Sequence, residues 1–221
     1  MFKFFKKDDS KYQSAINLIY DRNIHTLRNK VKILIVDDEE FVLIDILKER
    51  KYDIYWKKDI TYAVEAEPFD IVVIDIIGIA KSLGSGMGGF TIAKEIKTRY
   101  PSKQVWCYSG SVIKPEISEK LKEIDGYIPK DTDLDKWAEK LDGIINRYCS
   151  KEYQEEVLTG QLRKLQISEG EISKILEEYR KGVESKNFNG ITDVLSTLIS
   201  SGKNVIEIVK LIYSFAELFA S

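Results

Sequence analysis

The sequence predicts an α/β protein in which helices cover both faces of a parallel sheet, followed by an all-helical segment. Between residues 31 and 149, short apolar runs rich in β-branched residues alternate with segments of helical period. Strand-like patterns almost vanish after Ser150, where every periodic segment has helical spacing. The chain has 221 residues, of which 43% are hydrophobic and 32% are charged, so it can build a core of this size.

The alternating part contains five predicted strands and five predicted helices. The strands are residues 31–36, 53–57, 70–75, 104–108 and 126–128. The helices are residues 41–51, 60–67, 89–99, 115–123 and 134–148. Because strand–helix–strand crossovers are right-handed, this order predicts a parallel sheet that is buried on both faces.

Three parts of the chain are predicted. Residues 1–30 form an N-terminal extension with a helix from about Lys11 to Leu27, and residues 31–149 form the α/β domain. Residues 150–221 form a bundle whose predicted helices are 151–165, 169–184, 191–199 and 205–220. The last helix is apolar on most sides, which predicts burial inside the bundle or against another chain. We therefore expect the bundle to form a homodimer or to dock a protein partner.

Charge and composition disfavour several classes of protein. The net charge is −2, and the segment 150–221 carries eleven acidic and nine basic residues, so a DNA-binding surface is not expected. No apolar run reaches the length of about 18 residues that a membrane span needs. Two cysteines make neither a disulfide framework nor a metal-ligand spacing. These features predict a cytoplasmic protein.

Polar side chains stand where four of the predicted strands end. Asp37 and Asp38 follow the first strand, Asp75 ends the third, Ser109 follows the fourth, and Lys130 follows the fifth. Ligands of open parallel sheets bind outside the carboxyl ends of the strands, so topology predicts that these side chains converge. The alternative, in which the acidic residues are solvated helix caps, does not explain why Lys130 and Ser109 also follow strands.

Three carboxylates in one place point to a divalent cation. They would repel one another unless a cation neutralised them, and Mg²⁺ prefers carboxylate, water and phosphate oxygens. Asp75 could then act as a nucleophile and form an acyl phosphate. Lys130 could pair with Asp75 at rest and with a phosphate oxygen afterwards, and Ser109 could donate to another phosphate oxygen.

The stretch 31–148 resembles a response-regulator receiver domain of the CheY-like kind. The matching motifs, in chain order, are ILIVDDEE, DIVVIDII, GMGGF, CYSGS and GYIPKD. The resemblance implies a flavodoxin-like, doubly wound, five-stranded parallel sheet with strand order 2-1-3-4-5. The helical segment after residue 149 carries no such resemblance.

The resemblance also implies roles for single residues. It makes Asp75 the phosphoacceptor and a metal ligand. It implies that Asp38 binds Mg²⁺ directly, that Asp37 acts largely through water, and that the Ile77 backbone carbonyl completes the protein ligands. The remaining implied roles are a switch hydroxyl, an aromatic side chain that follows the switch, and a lysine that pairs with the acceptor: Ser109, Tyr127 and Lys130.

Two departures from the family pattern concern the loop after the third strand. The loop from Asp75 to Gly89 is several residues longer than usual, which predicts flexibility or a lid over the site. Ile77 and Ser111 flank the expected path of attacking water, and the apolar Ile77 side chain offers that water no hydrogen bond. We therefore expect a comparatively long-lived phosphoaspartate.

Three functions remain open at this point. The first is a phosphoprotein that acts as response regulator in a two-component phosphorelay, with a sensor histidine kinase or phosphotransfer protein as partner. The second is a phosphate-buffering or shuttle receiver without an effector, and the third is a non-phosphorylated scaffold. None is an enzyme beyond its own phosphorylation from a phosphodonor and slow autodephosphorylation.

Overall fold

A computed structural model describes residues 24–81, 87–110, 119–200 and 202–218. Its five strands are β1 Lys32–Val36, β2 Asp53–Lys57, β3 Ile71–Asp75, β4 Gln104–Ser109 and β5 Gly126–Pro129. All neighbouring pairs are parallel, and the order across the sheet is β2-β1-β3-β4-β5. The predicted flavodoxin-like sheet is therefore confirmed.

The strands are buried on both faces because their alternate residues supply two separate cores. Even-numbered residues of β1 and β3 pack against the helix Gly88–Arg99 and the segment 60–69, whereas odd-numbered residues pack on the side of the helix Leu134–Tyr148. The first set is Leu34, Val36, Val72 and Ile74, and the second is Ile33, Ile35, Ile71 and Val73. This double burial explains why the strands form continuous apolar runs rather than alternating patterns.

The helices follow the predicted order. They are α1 Ile24–Lys30, α2 Ile44–Glu49, α3 Gly88–Arg99, α4 Leu134–Tyr148, α5 Lys151–Lys164, α6 Glu169–Ser185, α7 Asn189–Ser200 and α8 Ile206–Glu217. Most of the predicted N-terminal helix lies outside the described residues, which begin at residue 24. Residues 111–118 also lie outside them, and the end of the helix predicted at 115–123 is a short 3-10 helix, Leu121–Glu123.

One crossover differs from its prediction. The short helix predicted at 60–67 covers only residues Ala63–Ala66 and is a 3-10 helix. Buried residues in and around it are Ile60, Ala63, Ala66 and Phe69, a spacing of three, and all four belong to the same core. A 3-10 helix has three residues per turn, so Ala63 and Ala66 lie on one face of it.

The N-terminal helix and the helical segment both pack against α4. Arg28 of α1 forms an ion pair of 2.6 Å with Asp142 of α4. From the other side, Phe215 of α8 lies with its ring 6.2 Å from that of Tyr148, at the end of α4. The buried core continues from the sheet through α4 into α5–α8. That residues 150–221 form a separate domain stays a prediction.

A second junction joins α5 to the amino-terminal edge of the sheet. The Tyr153 hydroxyl donates to the carbonyls of Ser102 and Lys103 at 3.1 and 3.3 Å. The partly buried Lys97 ammonium donates to Tyr153 Oη at 3.3 Å and to Asp125 Oδ1 at 3.0 Å. Burial lowers the pKa of Lys97, and the charge of Asp125 partly opposes this shift.

The last helix buries most of its apolar positions within the chain itself. Its buried residues include Ile208, Leu211, Ile212 and Phe215, whereas Ile206 and Tyr213 are exposed.

Within the described ranges, no helix is both long enough and apolar enough to span a membrane.

Candidate functional site

The three carboxylates and the lysine predicted at the carboxyl edge of the sheet lie together. Oxygen atoms of Asp37, Asp38 and Asp75, one from each, are all within 4.8 Å of one another. The Lys130 ammonium lies 3.0 Å from Asp37 Oδ2 and 3.1 Å from Asp75 Oδ2. Parallel pairing places the ends of β1, β3 and β5 at the same edge, so residues far apart in sequence share one site.

Asp75 is the last residue of β3 and is 5% exposed. Its Oδ1 accepts a hydrogen bond of 3.3 Å from the Ile77 backbone N–H, and its Oδ2 accepts one from Lys130. Burial raises the pKa of Asp75, and the hydrogen bonds from Lys130 and Ile77 partly offset that rise. Positive charge beside Asp75 therefore favours the ionised form that a nucleophile needs.

Lys130 is held by two carboxylates. Burial acts against its charge, but hydrogen bonds to Asp37 and Asp75 outweigh that effect and raise the pKa of the ammonium. The side chain is only partly buried, and the exposed Glu39 carboxylate lies 3.6 Å from its ammonium. Lys130 is thus a fixed cation beside the predicted phosphoacceptor.

Asp37 is the most enclosed of the three carboxylates, and protein donors contact both of its oxygens. Oδ1 accepts from the Glu39 backbone N–H at 2.9 Å, and Oδ2 accepts from the Tyr108 hydroxyl. The indole N–H of Trp56 donates to the backbone carbonyl of Asp37 at 3.1 Å. Tyr108 was not among the residues predicted from sequence, although a hydroxyl-bearing side chain in a buried strand was the available signal.

The loop after β3 folds back onto Asp38. Gly78 has a φ of +95°, and a Cβ there would lie 2.2 Å from Asp38 Oδ1, so only glycine fits. The Lys81 ammonium lies 2.9 Å from Asp38 Oδ2 and is largely exposed. These two contacts were not predicted. Residues 82–86, where a lid was suggested, lie outside the described residues.

The two adjacent glycines of the GMGGF motif allow α3 to begin against the site. A Cβ on Gly89 would lie 1.8 Å from the Asp75 backbone oxygen, and one on Gly88 would lie 2.1 Å from the Ile79 carbonyl oxygen. A side chain at Gly89 would push the helix away from β3, and one at Gly88 would push it away from the loop after β3. The motif therefore sets the distance between α3 and the predicted phosphoacceptor.

Ser109 and Tyr127 are joined through the backbone of β4. Ser109 ends β4 and is buried, and its carbonyl accepts from the Tyr127 hydroxyl at 2.7 Å and from the Lys130 backbone N–H at 3.0 Å. These bonds tie the end of β4 to the start of the segment that carries Lys130. The switch roles of Ser109 and Tyr127 stay predictions.

The donor set fits a hard divalent cation. Three carboxylates converge, and Asp38 is half-buried, so one of them faces the open side of the site. Oxygen ligands of this kind suit Mg²⁺. The carbonyl of Ile77 belongs to the same loop, because the Ile77 N–H already contacts Asp75, but its role as a ligand stays a prediction.

Solved structures of receiver domains resemble about half of the chain. A response regulator from Thermotoga maritima is 21% identical, with a TM-score of 0.43, and the match covers 52% of this chain and 97% of that chain. The non-phosphorylated HemR receiver domain from Leptospira biflexa is 25% identical, with a TM-score of 0.41, covering 52% and 94%. The response regulator TrrA from Thermotoga maritima, in complex with Mg(2+)-BeF, is 22% identical, with a TM-score of 0.40, covering 52% and 98%.

No protein-family model and no curated protein matches the chain. The description of the fold therefore depends on the chain's own topology, the parallel order β2-β1-β3-β4-β5 with helices on both faces. By that order, the α/β half of this chain has the flavodoxin-like, doubly wound fold, a strand order that CheY also has.

Proposed function

We propose that the protein is a response regulator of a two-component phosphorelay, which accepts a phosphoryl group on Asp75 with the help of Mg²⁺. The observation that carries the proposal is the position of Asp75 between the Lys130 ammonium, at 3.1 Å, and two further carboxylates at the same sheet edge. If the acidic residues were only solvated helix caps, there would be no reason for a buried carboxylate to lie beside the Lys130 ammonium. The phosphodonor would be a sensor histidine kinase or a phosphotransfer protein.

The residues of the chain can divide the reaction among them. A carboxylate oxygen of Asp75 forms a bond to phosphorus, and the bond from phosphorus to the donor atom breaks, so the donor leaves with the electron pair. Lys130 offers positive charge to the phosphoryl oxygens as charge builds on them. The hydroxyl of Ser109 would donate to one of these oxygens once it is in place.

A bound Mg²⁺ would neutralise the carboxylates and the phosphoryl oxygens. Asp38, Asp75 and the Ile77 carbonyl would hold it, with Asp37 acting through water, as the receiver resemblance implies. The contacts of Asp37 support this division, because protein donors already contact both of its oxygens. Asp38 instead pairs with Lys81, whose side chain is largely exposed.

The output would be a change in a protein–protein interaction through the helical segment. The segment packs on α4 through Phe215 and Tyr148 and on the sheet edge through Tyr153. Its acidic balance does not favour DNA. The proposed target is a second copy of this chain or a partner protein in the cytoplasm. A homodimer that forms or dissociates on phosphorylation would favour this output over a phosphate shuttle.

Incubation with acetyl phosphate and Mg²⁺, followed by intact-mass measurement, tests the proposal. We expect a gain of one phosphoryl group that disappears with EDTA and in the Asp75→Asn variant. Asn keeps the shape of the side chain but removes the nucleophilic charge. An unchanged mass in the presence of Mg²⁺, or full modification of the Asp75→Asn variant, would overturn the proposed phosphoacceptor.

The Ile77→Asn variant is expected to lose its phosphoryl group about 3- to 10-fold faster than the unmodified sequence. Ile77 is 50% exposed at the mouth of the site, so an amide there could hydrogen-bond attacking water. One such bond contributes about 1 kcal/mol, which corresponds to this change in rate. The decay of the phosphorylated mass after removal of acetyl phosphate measures the rate.

Val64→Asn is the matched control for Ile77→Asn. Val64 has similar exposure, 45%, but belongs to the 3-10 helix Ala63–Ala66 rather than to the loop after Asp75. Its decay rate should not change. A rate for Ile77→Asn that is equal to or slower than that of the control would show that water does not approach beside residue 77.

A further inference from the structure

Tyr108 brings a buried hydroxyl into the acidic site from the strand that also carries Ser109. The hydroxyl donates to Asp37 Oδ2, and the side chain is 1% exposed. The ring is fixed by edge-to-face packing, with centroids 6.4 Å from Phe41 and 5.8 Å from Trp137. Tyr108 therefore has little freedom to turn its hydroxyl away from Asp37.

The Asp37 carboxylate contacts both this hydroxyl and Lys130. It accepts from Tyr108, from the Glu39 N–H at 2.9 Å, and from Lys130 at 3.2 Å. Lys130 is shared, because it also contacts Asp75 at 3.1 Å. The strength with which Asp37 attracts Lys130 thus determines how much of the lysine's charge is left for Asp75.

We propose that Tyr108 is a positioning residue that holds the Asp37 carboxylate and weakens its attraction for both Lys130 and a divalent cation. The inference deepens the proposed function and rests on it for the phosphorylation step, although not for cation binding. A hydrogen bond to a carboxylate takes up part of its negative charge. The hydroxyl therefore reduces the repulsion among Asp37, Asp38 and Asp75 in the cation-free protein.

The Tyr108→Phe variant should reveal both effects with opposite signs. Without the hydroxyl, the three carboxylates repel one another more strongly, so a cation relieves more repulsion and Mg²⁺ should bind about 3- to 10-fold more tightly. Asp37 should also draw Lys130 away from Asp75. Phosphorylation by acetyl phosphate at saturating Mg²⁺ should then become slower.

A titration with Mg²⁺ alone, followed by tryptophan fluorescence, measures the cation affinity. Trp56 is a local reporter, since its indole N–H lies 3.1 Å from the Asp37 carbonyl oxygen. Tyr52→Phe is the matched control, because the Tyr52 hydroxyl also donates to a carboxylate, Asp142 Oδ1, at 2.7 Å and away from the site. The control should lower thermal stability and leave the Mg²⁺ affinity unchanged.

A double-mutant cycle separates positioning from general loss of packing. In an Asp37→Asn background, Tyr108→Phe should no longer change the Mg²⁺ affinity, because the charge on which the hydroxyl acts is absent. An unchanged or weaker Mg²⁺ affinity in the single Tyr108→Phe variant, or the same change in both backgrounds, would overturn the inference.

The outcomes also distinguish this inference from the proposed function. If the unmodified protein binds Mg²⁺ and accepts phosphate but Tyr108→Phe matches it in affinity, only the role of Tyr108 is wrong. If the unmodified protein binds Mg²⁺ without accepting phosphate, the proposed function is wrong and the affinity change still tests Tyr108. If it binds no Mg²⁺, both are wrong.

Discussion

Replacing Lys130 by alanine is expected to slow the phosphorylation of Asp75 about 100-fold or more at saturating Mg²⁺. The ammonium lies 3.1 Å from Asp75 Oδ2, so it is placed to offset charge that develops on the transferring phosphoryl group. Removing one preorganised donor of this kind from an enclosed site typically costs about 100- to 1000-fold in rate. The measurement is the rate at which the phosphorylated mass appears with acetyl phosphate.

The same substitution should also weaken the fold in the absence of a cation. Asp37, which is 2% exposed, and Asp75 would then face each other without Lys130, and a buried charge without its partner is destabilising. Mg²⁺ should restore part of the lost stability because it supplies positive charge to the same carboxylates. The rates are therefore compared where thermal denaturation shows each variant to be folded.

Lys136→Ala provides the control for the loss of a lysine. Lys136 lies in the first turn of α4 and pairs with Asp133 at 2.9 Å, with both side chains exposed. Its removal should leave the phosphorylation rate unchanged. A Lys130→Ala variant that is phosphorylated as fast as Lys136→Ala would mean that the lysine is structural and takes no part in phosphoryl transfer.

Replacing Phe215 by alanine is expected to lower the free energy of unfolding by about 3 to 5 kcal/mol. Phe215 is fully buried among the helices α5–α8, and its ring meets that of Tyr148 at 6.2 Å. Tyr148 also donates to Asp70 Oδ1 at 2.8 Å, just before β3. The lost ring would therefore leave a cavity where the helical segment meets the α/β half.

Chemical denaturation measures this loss, and Tyr213→Ala is its control. Tyr213 lies two residues earlier in α8 but is 58% exposed, so its removal should change the free energy of unfolding by less than about 0.5 kcal/mol. If Phe215→Ala were no more destabilising than Tyr213→Ala, the packing of α8 on α4 would contribute little to the stability of the chain.

The sequence alone predicted the five strands, most of the helices, and the acidic and basic side chains that stand at the strand ends. Helix α4 has the predicted bounds 134–148, because its buried positions recur at helical spacing over four turns. The short apolar run of β3 was equally clear, since a strand that is buried on both faces has little room for polar residues. Parallel topology then required Asp75 and Lys130 to lie at one edge of the sheet, and they do.

Only the tertiary structure decided the contacts that tune this site. Asp37 and Tyr108 are 71 positions apart, and their hydrogen bond depends on the directions of two side chains that meet across the end of β3, the strand between β1 and β4. The fold of the loop onto Asp38 through Gly78 and Lys81 is likewise a matter of distances in space. The short helix predicted at 60–67 is the 3-10 helix Ala63–Ala66, a type that the sequence did not reveal because spacings of three and 3.6 residues hardly differ over one or two turns. Hydrophobic period fixes which residues are buried, but hydrogen bonds act only over about 3 Å and become defined once the chain has packed.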